Sequence, residues 1–328
     1  MRNELLNYIC CPVCRGSQFE VTGQVEDTRE YREGYIRCQS CGRVYSFTRG
    51  ILDLMPNPNQ VIAAEQAGWV ELLGDTSDAL IDTMLKLPYL DDGPWITTYH
   101  NWDEIMGAFS VAGKAVLDIG AGRCWSTRRM MLAGARFALA LDILRERFIG
   151  LDTADIYFEH DGIYFERLIG DMNELPLQPG MFDVVFMTGT LHHSSDPGRA
   201  MQQVAKALAT GGTAVIINEP VRSVFAPKSM AGCMEIEHGI NENVYTIMEY
   251  MRATEQAGLR PQLFMPASLT HAFDHDPQRI AQELGPLGNQ VIPRLWKHGL
   301  GRGLLRSPLL RHFYLIASMP LVMLAKKG

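Results

Sequence analysis

Ala115-Val-Leu-Asp-Ile-Gly-Ala-Gly-Arg-Cys124 is the stretch whose reading decides the fold. A short apolar run ends in an acid, Asp118, and two glycines follow, Gly120 and Gly122. The chain then continues through Met130, Met131 and Leu132 in a pattern that predicts a helix. Strand, glycine turn and helix form a cradle in which backbone can approach a nucleotide-like ligand, with free N–H groups at the helix start. One Gly-x-Gly is weak evidence by itself. Phe137-Ala-Leu-Ala-Leu-Asp142 strengthens it, because this second apolar run ends in an acid 20 residues after Gly122, where a carboxylate can hold ribose hydroxyls.

The same logic repeats outward. Leu168-Ile-Gly-Asp171 puts an acid after a third strand. Phe182-Asp-Val-Val-Phe-Met187 is a continuous apolar run, as a strand buried on both faces requires, and it leads into Thr188-Gly-Thr-Leu191-His192-His193. A helix from Pro197 to Ala209, a turn at Gly211-Gly212 and a strand Thr213 to Asn218 follow, ending at Glu219-Pro220. Gly258 to Phe264 and Pro320 to Lys326 read as a sixth and a closing seventh strand. This alternation predicts an α/β, doubly wound, Rossmann-like sheet over residues 113–328. Residues 57–112 read as a helical linker or cap, and about 268–318 as a basic, apolar insertion that the sheet does not need.

The start of the chain carries a different signal. Cys11-Pro-Val-Cys14 and Cys38-Gln-Ser-Cys41 are two Cys-x-x-Cys pairs, each able to turn two thiolates toward one tetrahedral ion. The expectation is a small structural zinc ribbon over residues 1–56 with Cys11, Cys14, Cys38 and Cys41 as ligands and Cys10 left out. Phe19-Glu-Val and Tyr35-Ile-Arg read as strands between the pairs, and Pro56-Asn-Pro-Asn59 as a boundary.

Taken together, VLDIGAGRC, the acid at Asp142, GDMNELPL and FDVVFMTGTLHHSSDPGRAMQQVAKALATGGTAVI resemble the ordered motifs of class I S-adenosylmethionine-dependent methyltransferases, small-molecule branch, over residues 113 to 220. Residues 1 to 56 resemble zinc-ribbon domains that precede or activate such enzymes. The resemblance implies a seven-stranded methyltransferase sheet and S-adenosyl-L-methionine as cofactor. Gly120 and Gly122 would meet the methionine end, Asp118 would support that loop, and Asp142 would bind the ribose. Asp171 and Met172 would address adenine, and Thr188 would complete the cofactor-binding set. Cys124 departs from the family, which often has a third glycine there.

Catalytic candidates are the groups that follow the fourth and fifth strands. His192 and His193 are set against the alternative that one of them orients a loop, since histidine is the usual base near neutral pH. Glu219 heads a second polar set, Glu235 to Tyr245, in which Glu237 and His238 read either as an orienter and base or as a helix cap. Glu219 with His238 also reads as a pair of metal ligands.

Composition limits the partners. The 328 residues carry 30 Lys+Arg against 37 Asp+Glu, a net charge of -7, which argues against a wholly basic nucleic-acid binder. Residues 61–112 hold only one base, Lys86, whereas no acid follows Glu283 and Arg294, Lys297, Arg302, Arg306 and Arg311 stand among apolar residues. That tail reads as a lid with a wet basic face, or as a clamp on phosphate or a peripheral membrane contact. Seven cysteines, five within the first 41 residues, and the absence of a secretory pattern suggest a reducing, cytoplasmic setting. The expected activity is methyl transfer, an O-methylation, to a saccharide, nucleotide-sugar, lipid-linked or natural-product intermediate. The alternatives are a ribosomal-RNA guanine-type methyltransferase that holds RNA with its ribbon, and a non-catalytic partner protein. A homo-oligomer is left open.

Overall fold

The computed structural model describes residues 1–25, 30–74, 78–91, 93–226, 233–276 and 284–328. Parts of the acidic stretch (75–77 and 92) and of the basic insertion (277–283, Glu283 included) lie outside the described residues.

Among the described residues, eleven strands form one sheet. They are β1 (Phe19–Val25), β2 (Tyr31–Cys38), β3 (Val44–Thr48), β4 (Ile51–Asp53), β5 (Ala115–Ile119), β6 (Phe137–Asp142), β7 (Glu166–Ile169), β8 (Phe182–Thr188), β9 (Leu208–Glu219), β10 (Leu259–Leu263) and β11 (Leu321–Lys327). Their spatial order is β1-β2-β3-β4-β7-β6-β5-β8-β9-β11-β10. The run from β4 through β9 is parallel, and β11 enters antiparallel between β9 and β10. Every residue of β5 and β6 is buried, which explains why these strands read as unbroken apolar runs. The order reverses at β5, with β6 and β7 laid down on one side of it and β8 and β9 on the other, so a crevice opens at the strands' C-terminal ends.

Two details depart from the sequence reading. β9 starts at Leu208 rather than after the glycine pair, so Gly211, with φ +76°, lies within the strand. The ribbon is not a separate bead: β4 pairs in parallel with β7, Ile51 to Arg167 through Asp53 to Ile169, and the sheet runs from one into the other.

Helices pack on both faces. The segment expected to cap the sheet forms α1 (Gln60–Leu73), α2 (Ile81–Lys86) and α3 (Gly93–Ala108). The Asn59 side chain starts α1 by accepting from Ile62 N at 3.0 Å. The crossovers are α4 (Trp125–Leu132), α5 (Ala154–Asp161) and α6 (Pro197–Ala207), the last capped by Asp196 with Pro197 at its first position. α7 (Met234–Glu237) is a single turn, and α8 (Ile247–Gln256) opens on a reciprocal Thr246–Glu249 cap. The insertion is helical: α9 (Ala267–His275), then Gly285–Trp296, Gly299–Leu305 and Leu310–Ile316. Among the described residues no helix is long and apolar enough to cross a membrane.

Candidate cofactor cavity and its polar rim

A cavity of about 730 Å³ opens where β5, β6, β7 and β8 end. Gly120 to Arg123, Asp142 to Leu144, Gly170 to Asn173 and Thr188 to Thr190 line it, with Glu65 and Trp69 of α1 and Trp95 of α3 above. Of the residues singled out for the cofactor, Gly120, Gly122, Asp142, Asp171, Met172 and Thr188 are brought together here. Asp118 is the exception. It is buried beneath the loop and accepts from Ser126 Oγ at 2.6 Å and Thr127 Oγ1 at 2.5 Å, so it anchors the first turn of α4. Burial pushes its carboxyl up to about 7.

The glycine turn is set by backbone geometry. Gly120 has φ +66°, and a Cβ there would lie 1.9 Å from Thr190 Oγ1. Gly122 N donates to Asp142 Oδ2 at 2.7 Å, and Leu144 N donates to Oδ1 at 2.8 Å, fixing the second acid against the first turn. Burial raises the Asp142 carboxyl to about 6. Cys124 sits at φ 56°, in the left-handed region, which accounts for the glycine common at that position in the resembled family. Asp171 Oδ1 accepts from Asn173 N at 2.7 Å and shapes the turn after β7.

At the rim, Glu219 is buried. Its carboxylate accepts the N–H groups of Thr190 (2.9 Å), Leu191 (3.0 Å) and His192 (3.1 Å) and the His192 ring Nδ1–H at 2.7 Å. Burial alone would favour a neutral His192, but its contacts with Glu219 and Glu242 outweigh it and raise the ring to about 10. His193 lines the cavity, and burial followed by the neighbouring His192 charge lowers it to about 4. Glu65, also buried, is raised to about 8 by desolvation and then by Asp142.

The polar segment after β9 is spent on the same loop. Asn243 Nδ2 donates to His192 O (2.9 Å), Asn241 Nδ2 to His193 O, and Tyr245 OH to Ser194 O (2.7 Å). Two expectations are corrected here. Glu237 is exposed at the end of α7, and His238 bonds through Nδ1 to Met234 O at 2.8 Å, so this pair is not brought to the cavity. Glu219 and His238 therefore do not form a metal pair; the rim instead groups His192, His193 and Glu242. None of the described residues of the basic insertion lines this cavity.

Sequence reading missed Glu65 and Trp69 as lining groups; Trp95 and Arg123 line the cavity as well. The Arg123 guanidinium donates Nε–H to Phe148 O at 2.6 Å and lies 5.9 Å over the Trp95 ring.

In the ribbon, Cys11 and Cys41 Sγ are 3.7 Å apart and Cys14 and Cys38 Sγ 3.6 Å. A tetrahedral ion with metal–sulfur bonds of about 2.3 Å separates its sulfurs by about 3.8 Å, so the four residues fit one ion. Tyr45 OH, 3.1 Å from Cys11 Sγ, adds a hydrogen bond that sequence reading did not anticipate. Cys10 points away, its Sγ donating to Leu177 O at 3.2 Å.

Fold, glycine turn and acid-ended strands define a class I S-adenosylmethionine-dependent methyltransferase domain, and residues 117–216 match the family described as a methyltransferase domain. Among individual proteins, the chain is similar to the tRNA U34 carboxymethyltransferase of Dichelobacter nodosus, 26% identical over 51% of this chain and 55% of that one. The protein of the same name from Alcanivorax borkumensis is 34% identical over 33% of each. The chain spans about half the length of the first of these relatives. The fold is similar to that of Haemonchus contortus phosphoethanolamine N-methyltransferase 2 in complex with S-adenosyl-L-methionine, with a TM-score of 0.52 and 15% identity over 87% of this chain and 63% of that one.

Proposed function

We propose that this chain transfers a methyl group from S-adenosylmethionine to an oxygen of a small-molecule acceptor. The observation that carries the reading is the cavity, with Gly120, Gly122, Asp142 and Asp171 gathered at the ends of adjacent parallel strands. The backbone at Gly120 and Gly122 takes the methionine end of the cofactor, Asp142 the ribose hydroxyls, Asp171 and Met172 the adenine, and Thr188 flanks the reacting end. The acceptor enters beside Glu65, Trp69, His193 and Asn241, which form the polar end of the same space. A volume of about 730 Å³ under a helical cap falls in the range of small-molecule sites, roughly 300–1,000 Å³. His192 and Glu219 act as positioning residues that hold the strand-end loop.

Zinc at the four cysteines supplies folding energy for the ribbon. A reducing, cytoplasmic setting keeps those thiolates available. A second reading, tRNA as acceptor, is favoured by the names of the relatives and by the exposed Arg294, Lys297, Arg302, Arg306 and Arg311. The same basic face also supports contact with an anionic lipid surface or a lipid-linked acceptor.

The test uses S-adenosylmethionine labelled in the methyl group, purified protein and lysate fractionated into RNA, lipid and small molecules, with Asp142→Ala as the blank. Label in the small-molecule or lipid fraction is expected, together with loss of calorimetric cofactor affinity in Asp142→Ala. Nuclease-sensitive label would replace this reading with the RNA one, and unchanged affinity in the variant would remove the ribose assignment.

A further inference from the structure

The rim of the cavity holds a group of side chains whose spacing the loop-clamping role does not explain. His192 Nε2 is 3.4 Å from Glu242 Oε2, and His193 Nδ1 is 3.4 Å from Glu65 Oε1 and 3.8 Å from Glu242 Oε1. Charge-assisted hydrogen bonds close to about 2.7–2.9 Å, as His192 Nδ1 does with Glu219 at 2.7 Å. Metal–nitrogen and metal–oxygen bonds of about 2.0–2.2 Å put tetrahedral ligands about 3.3–3.6 Å apart, which the two 3.4 Å separations match; the 3.8 Å one, to the other Glu242 oxygen, is slightly longer. The ribbon satisfies the same test with longer edges, as larger sulfur atoms require.

We infer that His192 Nε2, His193 Nδ1 and the Glu242 carboxylate, with Glu65 beside them, form a second metal site, one for a divalent first-row ion held by nitrogen and oxygen. Three further observations support it. The Nδ1 of His192 is already bonded to a buried carboxylate, Glu219, the arrangement that orients a metal-bound imidazole, and Nε2 ligates once the ion displaces the proton it shares with Glu242. The side chains of His192, His193, Glu242 and Glu65 are only 10%, 12%, 10% and 8% exposed, so three carboxylates, Glu219 included, converge out of bulk water on two imidazoles. His193 and Glu65 also line the cofactor cavity, so an open coordination position faces the acceptor space.

One contact competes. His193 Nδ1 is 3.1 Å from Asn241 O, a bond that the nitrogen must give up to take the ion; the carbonyl then lies close enough to serve as a further oxygen ligand. Two imidazoles with carboxylates suit manganese, iron, cobalt or zinc, in contrast to the all-sulfur ribbon. The function of the site rests on the methyl-transfer reading: the ion takes an oxygen of the acceptor and fixes it against the cofactor's methyl group, which selects acceptors bearing a hydroxyl or carboxylate.

Mn²⁺ is the discriminating probe, because thiolate ribbons have little affinity for it. Full-length wild-type protein is titrated with Mn²⁺ while the signal of the free ion is followed by electron paramagnetic resonance, and total zinc is counted in parallel. One equivalent of bound Mn²⁺ beside one equivalent of ribbon zinc is expected, with binding weakened about 10-fold or more in Glu242→Gln. Circular dichroism of the variant confirms that it remains folded. No Mn²⁺ binding together with no more than one zinc per chain overturns the site, as does binding unchanged by Glu242→Gln. Calorimetry of S-adenosylmethionine on the same wild-type sample reports on the cofactor site separately, so either reading can fail while the other stands.

Discussion

The two flanks of the sheet are extended in opposite ways. On one side, β4 of the ribbon joins β7 in parallel, and charge ties the seam together. The Met1 amino group meets Glu30 at 2.7 Å, Arg167 reaches Glu30 at 3.1 Å and Asp155 at 2.8 Å, and Arg32 bridges Glu30 at 2.7 Å and Asp155 at 3.0 Å. On the other side, β11 and β10 close the sheet with apolar surface. Leu321, Met323 and Ala325 are fully buried, and so are Leu305, Leu310 and Ala317 of the insertion. An unpaired sheet edge invites association, so each extension covers one. The difference lies in what each interface demands: apolar packing tolerates change in rough proportion to lost volume, whereas a buried charge network fails when one member is removed.

Arg167→Ala is expected to have the largest effect. The guanidinium is fully buried and also donates to Arg49 O at 2.7 Å, so truncation takes the central cation from Glu30 and Asp155 and leaves them to Arg32 and the Met1 amino group. A loss of about 3–5 kcal/mol is expected in denaturant unfolding of the variant. A loss below about 1 kcal/mol would mean that the ribbon seam is held by its apolar contacts, like the far flank, and the contrast would disappear.

Acid sharpens the same contrast. Burial alone would raise Asp155, but its hydrogen bond with Arg32 and the charges of Arg167 and Arg32 outweigh that and hold it at about 2, against an ordinary 3.8. Its folded-state value is depressed, so its contribution of about 2 kcal/mol is complete above pH 4 to 5 and is lost as the pH falls toward 2. β10 and β11 contain no acid. Hydrogen exchange at pH 3 compared with pH 5 should therefore lose protection in β2 to β4 before β10 and β11, and Asp155→Asn should remove its share of that loss. Equal loss on both flanks, unchanged by the substitution, would refute the assignment.

What the sequence made legible follows from how local each signal is. The cofactor loop needs a left-handed turn between an apolar strand and a helix, and Gly120, Gly122 and the acids at strand ends announce it within a few residues. The ribbon is equally local, two pairs of cysteines on tight turns. The contribution of the first cap helix was not legible: Glu65 and Trp69 lie on a helix read only for its apolar positions, and only tertiary packing carries them onto a cavity built from strands after residue 115. Glu237 and His238 misled for the converse reason. Neighbours in sequence on a helical turn point in different directions, and the group that faces His192 is Glu242, five residues later, in a loop. Arg167, inside a short strand reading Glu-Arg-Leu-Ile, gives no hint that pairing with β4 will bury it.

The smallest effect belongs to the apolar flank. Tyr314, on the last helix of the insertion, is fully buried and donates its hydroxyl to Pro320 O at 3.0 Å, pinning that helix to the residue that leads into β11. Tyr314→Phe keeps the ring and its packing and removes one neutral hydrogen bond, which leaves the carbonyl oxygen without that donor. The expected cost is about 1 kcal/mol in denaturant unfolding, the same at pH 4 and pH 7, because neither partner changes charge in that interval. The contrast with Asp155→Asn is then one of kind as well as size. If Tyr314→Phe cost as much as Arg167→Ala, the insertion would be held by a cooperative polar network centred on that hydroxyl, and the far flank could no longer be described as an apolar closure.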